Sequence, residues 1–105
     1  MTDDLHGRLA AIDDAPIEGE EALLLARGAG FTVEQILSGR LGAPQDYEQD
    51  HDEWVVVLAG GAVLEVDGVA HELSVGDWRL LPAGTRHRLV RTEPGTNWLA
   101  VRSTR

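Results

Sequence analysis

Residues 76–87 read GDWRLLPAGTRH, and this stretch decides the fold. Gly76 is a turn residue, 78–81 is a short apolar run, and Pro82 and Gly84 form a Pro-x-Gly turn. His87 then stands at the start of the next run. A histidine placed there can point into a β-barrel, where an imidazole and a carboxylate can share a metal. Glu53, 34 residues earlier, supplies the carboxylate.

Working outward, the β signal is dense on both sides. Residues 53–59 form a continuous apolar run after Glu53, which predicts a strand covered on both faces. Runs at 62–66 and 69–73 flank Asp67-Gly68, a strong signal for a two-residue hairpin turn. Runs at 87–92 and 97–102 are separated by Glu93-Pro94-Gly95. Toward the N-terminus, 22–27 (ALLLAR) and 31–38 (FTVEQILS) read as strands on either side of a Gly-rich turn. A short strand is expected near 46–50. About eight short strands at regular spacing predict an all-β sandwich or barrel. Residues 2–14 (TDDLHGRLAAIDD) carry Leu5, Leu9 and Ile12 at helical spacing and predict a short helix or arm.

Composition narrows the function classes. At 105 residues the chain has room for one domain. It has no cysteine, which removes disulfides and thiolate metal sites. All nine basic residues are arginine, and the net charge is −9. Residues 1–53 hold 13 acids and 3 arginines, against 5 acids and 6 arginines in 54–105. No basic stripe is present to meet a phosphate backbone, so nucleic acid is not an expected partner. No apolar run reaches membrane-spanning length, and the acidic N-terminus does not read as a signal peptide, so a cytoplasmic protein without a membrane partner is expected. The absence of a phosphate-binding Gly loop argues against a nucleotide cofactor.

The spacing Gly76-x5-Pro82-x-Gly84-x2-His87 resembles the second motif of the cupins, small antiparallel β-barrels of jelly-roll type. Glu53-x6-Gly60 resembles the end of their first motif, and the 15 residues between Gly60 and Gly76 suit a minimal cupin. The resemblance spans about 17–102, as a single domain. With DEWVVVLAG, LPAGTRHR and NWLAV it narrows to small single-domain bacterial cupins. It implies a cupin-type barrel with a ligand pocket inside. In metal-binding members two histidines spaced H-x-H, then a glutamate, then the second-motif histidine hold Fe(II), Mn(II), Ni(II), Cu(II) or Zn(II).

This chain departs from that pattern. The two first-motif histidine positions fall on Tyr47 and Gln49, or on Asp46 and Glu48 with the longer spacing. His51 lies two residues before Glu53. One reading takes Gln49, His51, Glu53 and His87 as an altered metal site. The other leaves out the metal and takes Gln49, Glu53 and His87 as a paired polar network, with Arg91 neutralising Glu53. Arg91 lies four residues after His87, so strand parity predicts the same side for both. Inside the barrel it would clamp an anionic substrate; at the mouth it would reach solvent. Tyr47 is a candidate hydroxyl donor to a substrate or a wall residue, and Trp98 lines the pocket or an interface. Arg86 and Arg88 are expected to face outward, and Glu18, Glu20 and Glu21 read as a solvated lead-in to the first strand.

Two functions from different classes follow. The first is a cupin that binds a small molecule with a divalent metal, as an oxygenase or isomerase. The second is a metal-free binding, sensing or structural cupin. Metal-free acid–base catalysis would need a His–Asp type pair, and none is assignable. The resemblance implies a homodimer, for which unpaired strand edges, the β-rich first strands and the apolar tryptophans are available.

Overall fold

The computed structural model of the chain describes residues 5–11 and 14–104. Among the described residues nine strands succeed one another: β1 (Glu20–Gly28), β2 (Phe31–Ser38), β3 (Gln45–Glu48), β4 (Glu53–Ala59), β5 (Gly61–Val66), β6 (Val69–Ser74), β7 (Trp78–Leu81), β8 (Arg86–Thr92) and β9 (Thr96–Ser103). They build two antiparallel sheets, ordered β1-β2-β9-β4-β7 and β3-β8-β5-β6. The result is the all-β jelly-roll barrel expected from the motif spacing. Between β5 and β6, Asp67 and Gly68 have φ of 49° and 82°, the two positive values a type I′ turn requires.

The core lies between the sheets. Val55, Val57, Leu81, Trp98 and Ala100 face inward from the larger sheet and meet Ala62, Leu64, Leu73 and Leu89 from the smaller one. Alternation along β4 shows how the apolar run is used. Glu53, Val55 and Val57 are buried, while Trp54, Val56 and Leu58 are half-buried on the outer face. The expected cover on both faces is therefore not found among the described residues: one side packs in the core and the other is an apolar outer surface.

Of the helix or arm expected at the N-terminus, the helix is not found over 5–11, and residues 2–4 and 12–13 lie outside the described residues. The Ala10 N–H donates to Gln35 Oε1 at 2.8 Å, and Gln35 Nε2 donates to the Ala10 carbonyl at 3.1 Å. A short segment with Gly7 inside it cannot hold an isolated helix. Its backbone groups pair instead with a fully buried glutamine on β2. No helix among the described residues is long and apolar enough to cross a membrane.

The Pro-x-Gly turn positions the first-motif segment. Gly84, at φ 82°, donates its N–H to the Gln49 carbonyl at 2.7 Å. The Ala83 N–H donates to Asp52 Oδ1 at 2.9 Å. The loop between β3 and β4 is thereby tied to the turn that launches β8, so residues 47–53 lie close to His87.

Candidate functional site

His87 enters the barrel because β8 pairs with β5 and β3, with Val66 and Tyr47 as its cross-strand partners. Its ring is stacked on Tyr47, with centroids 5.3 Å apart and planes 13° from parallel. His87 is 7% exposed, and its Nδ1 has no hydrogen-bond partner among the described residues. A buried polar atom left unpaired costs about 1–3 kcal/mol.

Both residues border a cavity of about 210 Å³ that lies between the sheets and opens to solvent. Ile36, Val55, Leu64, Leu81 and Leu89 form its apolar wall, and Glu20, Gln49, Glu53, Trp98 and Arg102 bring polar atoms to it. The structure thus brings together Tyr47, Gln49, Glu53, His87 and Trp98 of the residues singled out from the sequence.

It does not bring in His51 or Arg91. His51 is off the cavity wall, with Nδ1 3.5 Å from Asp50 Oδ1 and Nε2 buried without a partner. Arg91 is exposed, and the parity count failed for a local reason. Between β5 and β8, Val63 pairs with Arg91 while Leu64 pairs with Leu89, which leaves Val90 as an extra bulged residue. The bulge restarts the alternation, so His87 and Leu89 point inward and Arg91 points out.

The residue that neutralises Glu53 is Arg102. Its Nε donates to Glu53 Oε2 at 2.7 Å, and its Nη1 lies 2.9 Å from Glu34 Oε1. Burial pulls the guanidinium pKa down, but the Glu53 hydrogen bond and the charges of Glu53 and Glu34 outweigh it and hold it above the ordinary value. Sequence reasoning missed this residue. The signal was present in the alternation Trp98, Ala100, Arg102, which puts all three on one face of β9.

Glu20 was also missed. Far from being solvated lead-in, it pairs opposite Ser38 and turns toward the cavity. The Trp98 indole N–H donates to Ser38 Oγ at 3.0 Å, and the Ser38 hydroxyl donates to Glu20 Oε2 at 2.6 Å. The Tyr47 hydroxyl lies 2.7 Å from Gln45 Oε1 and 3.3 Å from Glu20 Oε1. Burial, followed by the charge and hydrogen bond of Glu20 and the charge of Glu53, pushes the Tyr47 pKa up to about 12. Arg86 and Arg88 face outward as expected and pair with Glu48 and Asp46 across β3.

These residues do not fit a divalent metal. No three His, Cys, Asp or Glu side chains among the described residues converge as a ligand set. The Glu53 carboxylate is already held by a guanidinium, whose charge opposes a cation at the same oxygen. Gln49 adds only a neutral amide oxygen.

With this geometry in hand, comparison with known proteins is decisive for the family. Residues 32–101 match the cupin domain, and the chain belongs to that family. A solved protein of Ralstonia eutropha JMP134, provisionally named a mannose-6-phosphate isomerase, is 32% identical over 92% of this chain and 98% of its own, with a TM-score of 0.78. KdgF from Halomonas sp. is 24% identical over 83% of this chain and 82% of its own, with a TM-score of 0.72. An RmlC-like cupin from Shewanella frigidimarina NCIMB 400 is 19% identical over 100% and 96%, with a TM-score of 0.73. The last two share the fold alone. No curated protein matches the chain significantly.

Proposed function

We propose that this cupin binds a small molecule inside its barrel and does so without a metal. The observation that carries this reading is the 2.7 Å contact from Arg102 to Glu53, which places a cation's worth of charge on the carboxylate a metal would need. The cavity suits a compact ligand. Its volume of about 210 Å³ is below the ~300–1,000 Å³ of sites for drug-sized molecules. The apolar wall would take the body of the ligand, and the polar side chains of Glu20 and Gln49 on the cavity wall would take its polar group.

Metal-dependent oxygenation or isomerisation would require a ligand set that Gln49, His51, Glu53 and His87 do not form together. The sugar phosphate named for the Ralstonia relative is also a poor match. A phosphate calls for an available cation, and Arg102 is engaged by two carboxylates while Arg91 faces away.

The test combines metal addition with ligand screening. Fe(II), Mn(II), Ni(II), Cu(II) and Zn(II) are expected to leave the melting temperature unchanged, whereas a site saturated at 100 times its Kd would add about 2.7 kcal/mol. Small neutral and charged organic fragments are expected to shift the Trp98 indole N–H resonance. Stabilisation by a metal that vanishes in both His87→Ala and Glu53→Ala would overturn the reading.

A further inference from the structure

We infer that the protein carries a second site, separate from the cavity, in which Arg79 and His71 hold a carboxylate. The larger sheet ends in β1 and β7 and the smaller in β3 and β6, which leaves two seams. At one, Tyr47 on β3 meets Glu20 on β1 beside the cavity. At the other, a short turn leads from β6 to β7, and Arg79 Nη2 lies 3.2 Å from His71 Nε2. Register turns both side chains inward: Arg79 is opposite Val55 and His71 opposite Leu64, two core residues.

Arg79 stands apart from the other arginines. Of those described, only Arg79 and Arg102 are withdrawn from solvent. Arg102 is held by two carboxylates, whereas Arg79 has no ion-pair partner among the described residues. The chain has 18 acids to 9 arginines, so a shortage of carboxylates is not the reason. The nearest acids in sequence are turned elsewhere. Glu72 alternates with His71 to the outer face of β6, and Asp77 Oδ2 accepts the Ser74 N–H at 2.8 Å. A charge partly removed from water without a counter-ion is destabilising, and an arriving anion relieves it.

His71 is the independent observation. A guanidinium has donors only, so His71 Nε2 accepts, and the ring proton resides on Nδ1. That N–H has no acceptor among the described residues, and unlike His51 Nε2 and His87 Nδ1 it is not sealed from solvent. The unused N–H groups of Arg79 are likewise not sealed. Two strands thus present open donors side by side, with no acceptor of their own to fill them. The pair carries one positive charge, which matches one carboxylate, and the guanidinium fork is shaped to take it by two parallel hydrogen bonds. The carboxylate comes either from a small organic acid or from an acidic side chain of a second copy of the chain.

Acetate, acetamide, chloride and inorganic phosphate test this on the full chain at neutral pH, with the histidine rings followed by NMR and His71 assigned from the His71→Gln spectrum. Acetate is expected to shift the His71 ring to saturation and acetamide to leave it in place. Chloride is expected to act about tenfold or more weakly, a difference of about 1.4 kcal/mol, and phosphate to bind more weakly than acetate. Arg79→Gln is expected to abolish the response, and Arg91→Gln, at an exposed arginine, to preserve it. Should Arg79→Gln not fold, Arg79→Lys keeps the charge without the fork and is expected to weaken acetate binding about threefold or more. A His71 shift that grows with protein concentration in the absence of acetate, and is lost in Arg79→Gln, supports the site and identifies the second copy as the source of the carboxylate. A response to acetate that does not saturate, that chloride reproduces, or that persists in Arg79→Gln means an adventitious ion only and overturns the site. Phosphate binding tighter than acetate overturns the carboxylate. A His71 ring that moves with neither acetate nor protein concentration overturns the site as well, and the small-molecule reading of the cavity stands in every case.

Discussion

Arg102 sits on β9 between two inward-facing carboxylates, 2.7 Å from Glu53 on β4 and 2.9 Å from Glu34 on β2. Its removal leaves both acids facing each other without a counter-charge. Arg102→Met is expected to lower the free energy of unfolding by about 2–3 kcal/mol, below the ~3–5 of a fully buried pair because the Arg102 side chain is 32% exposed. Arg91→Ala, on the outer face, is expected to change it by less than about 0.5 kcal/mol. Urea denaturation of the two variants checks this, and equal losses would contradict the outward placement of Arg91.

Tyr47 is the single tyrosine of the chain, so its ionisation can be followed by ultraviolet absorbance without ambiguity. Its folded pKa, pushed up to about 12 from 10, means the native state keeps the proton that the unfolded chain gives up. The contribution to stability is therefore fully present below pH 10 and is lost as pH rises from 10 through 12. The native titration midpoint is expected well above 10, with a lower midpoint in Glu20→Gln. A parent midpoint near 10 would remove Tyr47 from its buried, acidic setting.

Gly60 closes β4 onto β5 at φ 78°, and a Cβ there would lie 2.5 Å from Thr96 Oγ1 and 2.8 Å from Thr96 Cα. Gly60→Ala combines a left-handed backbone with overlap against a fully buried threonine. A loss of about 2–4 kcal/mol is expected from the two costs together. Thermal melts should show it, and a wild-type melting temperature would mean the turn relaxes freely.

Trp54 and Trp78 lie with ring centroids 6.1 Å apart on the outer face of the larger sheet. Trp78 is 59% and Leu80 55% exposed on the edge strand β7. The cross-strand rows through Val33, Val101, Trp54 and Leu80, and through Leu99, Val56 and Trp78, carry no charge. A second copy of the chain is expected on this face, and sedimentation velocity is expected to find a dimer that Trp78→Glu combined with Leu80→Glu dissociates. A parent that sediments as a monomer at micromolar concentrations would remove the homodimer expectation.

Much of this was legible in the chain. The turn residues Gly60, Asp67-Gly68, Gly76 and Gly84 announce the strand ends, and the two-residue period assigns Val55, Val57 and Ala100 to the core. The choice between helix and arm at the N-terminus was not legible, because three apolar residues at helical spacing carry no information about Gln35, which captures the backbone of Ala10.

By itself the sequence determined the barrel, because turn chemistry and alternation are local properties that any neighbour in the chain can report. Only the tertiary structure decided what His87 and Glu53 do. Arg102 is 49 residues from Glu53 and meets it through the register of β9 on β4, which the packing of the whole sheet sets. Val90 bulges out of β8 and reverses the parity that had put Arg91 beside His87. Period two tells which residues share a face, but not which strands lie side by side or where an extra residue breaks the count.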